Sequence, residues 1–229
     1  MSGKKTIRAL AHTATLLFCF LVAGAPLFAD ITKAKVPEDV RKAMEAEKIC
    51  TQALTYHKSG DYRRAIEEYD KCLKIIPKDS GTYVNRGVSY QASGNVKQAI
   101  KDFDKAIELG PKPEDAYLVY FNRGYAYFKL GNFNQAVKDY SKAIELNPKD
   151  ADSYNHRGTA YFSLDNPARA IKDYDKAIEL NPKHAEAYNN RGNARGALGD
   201  TDRAIGDIKK AAQLGLKRAQ DFLRQHNIK

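Results

Sequence analysis

One phrase recurs along this chain with a period of about 34 residues, and that period governs what the chain can fold into. Ala106-Ile107-Glu108-Leu109-Gly110-Pro111-Lys112 returns as Ala143-Ile144-Glu145-Leu146-Asn147-Pro148-Lys149, and again as Ala177-Ile178-Glu179-Leu180-Asn181-Pro182-Lys183. Self-similarity at this period makes a stack in which each unit buries its apolar face against its neighbours. The 229 residues therefore need not close into one or two compact domains.

The punctuation is regular. Gly60, Gly94, Gly131, Asp165 and Gly199 mark one kind of turn, and Pro77, Pro111, Pro148 and Pro182 mark the other. The segments between carry apolar residues at helical spacing. Each unit reads as a helix, a tight turn, a second helix and a proline-marked turn, over 46–79, 80–113, 117–150, 151–184 and 185–218. Pro37-Glu38-Asp39 opens the first helix, because Pro suits a first helical position and acids suit a helix N-terminus. The register slips once, by three residues around Pro113-Glu114-Asp115-Ala116. The expectation there is almost one added turn at the start of the next helix. After Gly215, residues 217–226 read as a capping helix, with Ala219, Phe222 and Leu223 on one face to cover the open end.

The first thirty residues differ. Lys4, Lys5 and Arg8 precede an apolar run centred on Leu16–Ala23, and the small residues Gly24, Ala25 and Ala29 follow. That order is the order of a secretory signal peptide over 1–29. Cleavage after Ala29 is favoured, because Pro26 follows Ala25. The apolar run is short for a span of about 20 residues, which disfavours an uncleaved anchor. In either case the repeats lie outside the cytoplasm, periplasmic or secreted, or anchored and facing outward. Residues 30–36 read as a polar linker and 37–229 as the stack.

The recurring residues have physical roles. Gly87, Gly124, Gly158 and Gly192 sit mid-helix, where glycine costs about 1 kcal/mol relative to alanine. A cost repeated at every unit points to close approach of the two helices. Ala65, Ala99, Ala136, Ala170 and Ala204 match the glycines on the second helices, and Cys72, Ala106, Ala143, Ala177 and Ala211 let the next unit dock. Tyr69, Phe103, Tyr140 and Tyr174 fill the space between, each tyrosine with its hydroxyl at a polar edge. Asp102-Lys105-Glu108, Asp139-Lys142-Glu145 and Asp173-Lys176-Glu179 alternate in sign three residues apart and read as a solvated outer wall.

Of the +10 net charge, Lys4, Lys5 and Arg8 contribute three. The remaining basic residues are interleaved with acids and form no block, which argues against a nucleic-acid partner. Cys50 and Cys72 can pair in an exported protein, but they read more simply as two small core residues. No Cys or His cluster has metal-ligand spacing, and no phosphate loop, dinucleotide fingerprint or catalytic Cys/His signature occurs. No metal, cofactor or catalytic activity is expected.

The alternation of Tyr, Gly, Tyr, Gly, Ala, aromatic, Ala and Pro resembles the tetratricopeptide repeat over about 46–218. The first unit departs from it, with Ile49 and Ala53 in place of Tyr and Gly, and the fifth has Arg195 in place of a Tyr. The resemblance implies an all-α, right-handed α-solenoid of five helix-turn-helix units. It also implies that the first helices line a concave groove holding an extended peptide or a partner's helix. Some relatives clamp acidic chaperone tails through Lys and Asn in the first unit, but here Cys50 and Leu54 occupy those places.

In such a groove, the residues two before each glycine face inward: Asn85, Asn122, His156 and Asn190, with Asn155, Asn189 and Asn193 beside them. An Asn amide both donates and accepts, so a row of them can grip a peptide backbone, or else tie neighbouring helices together. Phe121, Tyr125 and Phe128 form a stripe beside Asn122, and Phe162 extends it. They read either as anchors for a partner or as a wider core. The expected function is a non-catalytic protein-binding scaffold of the periplasm or cell exterior. The alternatives are a basic module on anionic lipid or polysaccharide and, least favoured, a hydrolase or transferase with His156 as base. A membrane would be reached only through an uncleaved N-terminal segment.

Overall fold

A computed structural model describes residues 36–228. The leader read over 1–29 and the linker up to residue 35 lie outside the described residues. Eleven helices and no strand are present among the described residues. They pair as α1 (Glu38–Lys58) with α2 (Tyr62–Ile75), α3 (Ser80–Ala92) with α4 (Val96–Leu109), and α5 (Ala116–Lys129) with α6 (Phe133–Leu146). The series continues with α7 (Ala151–Ser163) and α8 (Pro167–Leu180), then α9 (Ala185–Ala197) and α10 (Thr201–Gln213), and ends at α11 (Lys217–Gln225). Each helix packs mainly on its immediate neighbours in sequence, so the chain is an all-α solenoid of five hairpins with a terminal cap.

The helix ends follow from local chemistry. Asp79 and Asp150 accept the backbone N–H of Thr82 and Ser153, capping α3 and α7. Within the hairpins the turn residue lies in the left-handed region, at Gly60, Gly94, Gly131 and Gly199. Asp165 takes the same conformation in the fourth unit, with φ 55°. At mid-helix the glycines answer to a different demand. A Cβ on Gly87 would lie 2.7 Å from the Phe103 ring, and one on Gly158 would lie 2.8 Å from that of Tyr174. Tyr69, Phe103, Tyr140 and Tyr174 are fully buried against these helices. Burial pushes the Tyr69 phenol up to about 12. Contrary to the sequence expectation, the hydroxyls of Tyr69 and Tyr140 are buried and meet no partner among the described residues, whereas that of Tyr174 donates to Thr159 Oγ1 at 3.3 Å.

Three other expectations are corrected. The extra residues after Pro111 add one residue to the start of α5, at Ala116, and not almost a turn: it has 14 residues where α3, α7 and α9 have 13. The others form a turn in which the Asp115 N–H donates to the Lys112 carbonyl. Gly110, at φ 74°, has already ended α4, and Pro113 keeps Lys112 out of helical conformation. At the C-terminal end, Ala219 and Leu223 pack on Ile208 and Ala211, but Phe222 stays 38% exposed and lies 4.3 Å from the His226 ring. Third, Cys50 and Cys72 are joined as a disulfide across α1 and α2, with Cα atoms 5.8 Å apart. Sequence spacing alone could not supply that distance.

Candidate functional site

An arginine precedes each mid-helix glycine, and these four arginines form the most regular polar feature of the stack. Arg86, Arg123, Arg157 and Arg191 each hold an aspartate of the second helix of their own hairpin through Nε and Nη2: Asp102, Asp139, Asp173 and Asp207, at 2.6–2.9 Å. Their Nη1 atoms reach back to the preceding hairpin, to Asp70, Asp104, Ser141 and Asp175. The four bidentate aspartates are buried. Tyr83, Tyr120, Tyr154 and Tyr188 lie under the guanidinium groups, 5.4–5.6 Å from ring centre to guanidinium carbon. Burial opposes the charge on Arg86, but its bonds to Asp102 and Asp70 outweigh that and hold its pKa above the ordinary value. Asp102, Asp139 and Asp173 therefore do not belong to a solvated wall. Only the Lys105–Glu108, Lys142–Glu145 and Lys176–Glu179 pairs remain outside.

The first helices of successive hairpins touch one another along one side of the stack, an approach the second helices do not match. On that side the polar row divides. Asn85 is exposed; its carbonyl accepts the Ser89 hydroxyl at 2.9 Å and its side-chain amide has no partner among the described residues. Asn122 is half-buried on α5. Asn190 is committed within the stack: its Nδ2 donates to Asn155 Oδ1 at 3.0 Å, and its Oδ1 accepts from Arg218 at 3.3 Å. Asn155 and Asn189 are buried and Asn193 is exposed.

The aromatic stripe divides as well. His156 is wedged among Phe121, Tyr125 and Tyr140, with centroids 5.2–5.8 Å apart, so these rings form the joint between the third and fourth hairpins. Burial holds the His156 pKa below its ordinary 6.5. Phe128 packs on Phe133 at 5.2 Å, within its own hairpin, and Phe162 stays 37% exposed on α7. The structure thus brings Phe121, Tyr125 and His156 together, packs Phe128 with Phe121 and Tyr125 against the buried cluster of Ala136, Tyr140 and Ala160, and leaves Phe162 outside it.

At the N-terminal end of this side, α1, α3 and α5 enclose a cavity of about 570 Å³. Asn85 lies on its wall with Ala46, Cys50, Val84 and Leu118. Among the described residues no cluster of His, Cys, Asp and Glu could hold a metal ion, and no helix is long and apolar enough to cross a membrane.

Models of the tetratricopeptide repeat match residues 49–79, 81–113, 124–165, 151–184 and 173–206. Among solved structures, one of MamA is 30% identical, covers 73% of this chain and is itself covered to 96%, with a TM-score of 0.66. MamA residues 41 to the end from Desulfovibrio magneticus RS-1 is 19% identical, with coverages of 82% and 99% and a TM-score of 0.69. YrrB, described as a TPR protein with an unusual peptide-binding site, is 21% identical, with coverages of 82% and 98% and a TM-score of 0.65. No curated protein matches the chain.

Proposed function

This chain belongs to the tetratricopeptide repeat family, whose fold is that of a protein-binding scaffold, and we propose that it holds an extended peptide or a partner's helix in a groove lined by its first helices. The observation that carries this reading is the unspent hydrogen-bonding capacity of Asn85 beside an open cavity, continued along the same face by Asn122 and Phe162. Asn190, with the buried Asn189 beside it, contributes mainly by fixing the far end of that face, and Phe121, Tyr125 and His156 by keeping its middle rigid. The peptide-binding site in the description of YrrB is a precedent on a similar fold. Family scaffolds work without catalysis, and His156, packed among rings, has no place as a base. The compartment we propose is the periplasm or cell exterior. The leader pattern over 1–29 supports it, as does the Cys50–Cys72 disulfide, a bond that persists in oxidising surroundings.

The test is capture of partners by the Asn85→Ala/Asn122→Ala variant from the native compartment. A loss of capture with unchanged helical circular dichroism is expected. Undiminished capture by the folded variant would remove this face as the site. A second reading has one observation behind it: Lys101, Lys138 and Lys172 are exposed at the same register of α4, α6 and α8. Attachment through them to an anionic surface would weaken steeply with salt, whereas backbone gripping would not.

A further inference from the structure

We propose that the cavity between α1, α3 and α5 receives a lysine or arginine side chain of the bound polypeptide, so that the partner is a basic segment. This rests on the groove reading above and narrows it to a chemical class. Three departures from the repeat meet at this one place. Cys50, tied to Cys72, forms part of its wall. Gly81 stands where the later units have Leu118, Asp152 and Glu186. A Cβ at Gly81 would meet only Asp79 Oδ2, at an ordinary 3.5 Å, so the backbone does not require glycine there; its effect is to leave room. The three-residue insertion, which adds a single residue to α5, supplies a wall through Asp115.

The chemistry of the wall is one-sided. Ala46, Ile76, Val84 and Leu118 make an apolar surface, and Glu47, Asp79 and Asp115 approach it from three different elements. Lys112 is the one cation on the wall among the described residues. Asp79 spends Oδ2 on the N–H and hydroxyl of Thr82, while Glu47 and Asp115 are exposed and make no ion pair with the described residues. An acidic rim runs against the +10 charge of the chain. A lysine or arginine suits it, since the aliphatic stem covers apolar surface while the charged head stays at the wet rim beside the carboxylates. An anionic side chain would face three carboxylates. The lysines of the second helices lie a helix layer away, about 10 Å, and at physiological salt they are largely screened over about 8 Å.

Random-sequence peptides displayed on phage, selected in parallel on the protein and on its Glu47→Gln/Asp115→Asn variant, test this directly. Both changes are near-isosteric and exposed, so the fold is kept. The expected result is enrichment of Lys or Arg at one peptide position on the unchanged protein, lost on the variant. Replacing that residue by norleucine should then cost on the order of tenfold in affinity for the unchanged protein and nothing for the variant. Selected peptides without a basic position, whose binding is still abolished by Asn85→Ala/Asn122→Ala, would overturn the cation site and leave the groove. Selection that depends on neither set of residues would overturn both.

Discussion

The first hairpin and the four that follow are closed by different chemistry. In α3–α4 through α9–α10, a half-buried arginine grips a buried aspartate of its own hairpin and a polar group of the one before. In the first hairpin, Gln52 and Glu68 stand where the arginine and aspartate would be, and the Cys50–Cys72 disulfide joins the helices instead. The two devices differ in reach. Three of the arginines carry charge from one hairpin to the carboxylate of its predecessor, at Asp70, Asp104 and Asp175, so they couple units as well as close them. The disulfide is local, and it holds only while its surroundings are oxidising. The wall of the cavity at Cys50 thus belongs to the one unit whose closure depends on redox conditions.

The largest expected effect breaks an arginine clamp. Arg123→Ala strands the buried Asp139 and should cost about 3–5 kcal/mol in denaturant unfolding. Arg123→Met with Asp139→Leu should recover most of that, since the pair is replaced by apolar side chains. A loss well under 1 kcal/mol for Arg123→Ala would place these pairs with ordinary surface ion pairs.

Next comes the disulfide. Cys50→Ser/Cys72→Ser should cost about 2–4 kcal/mol. Hydrogen exchange should accelerate in α1 and α2 and stay unchanged from α5 onward. Acceleration along the whole stack would mean that the first hairpin is not an independent unit.

The smallest effect concerns the joint between the third and fourth hairpins. The unfolded chain takes up a proton at His156 near pH 6.5, before the folded one, whose pKa burial lowers. The His156 contribution to stability is therefore complete above 6.5 and falls as pH drops from 6.5 toward the folded value. The melting temperature should decline over that window, and His156→Gln should flatten the decline.

The parts of the fold legible in the sequence were those that repeat with a local cause. The turn glycines, Asp165 in their place and the mid-helix glycines opposite Phe103 and Tyr174 all follow from backbone geometry and side-chain volume. The arginine clamps were written just as regularly, one before each mid-helix glycine, with an aspartate 16 residues later. They were obscured because each aspartate also begins a plausible Asp-Lys-Glu surface ladder. What takes that aspartate inward is the arginine offered by the first helix of the hairpin, which the ladder does not include. The candidate site was legible in part. Asn85 and Asn190 share a register, yet one amide has no partner among the described residues and the other meets Asn155. What separates them is the side chain offered by the neighbouring unit, and the 34-residue phrase does not contain it.

The most direct measurement is photocrosslinking from single positions in the native compartment. A photoreactive side chain at residue 85 or 122 samples the first-helix face, and one at residue 101 or 138 samples the second-helix face. Partner adducts from 85 and 122, with none from 101 and 138, are predicted. Adducts confined to 101 and 138 would contradict a groove that holds the partner.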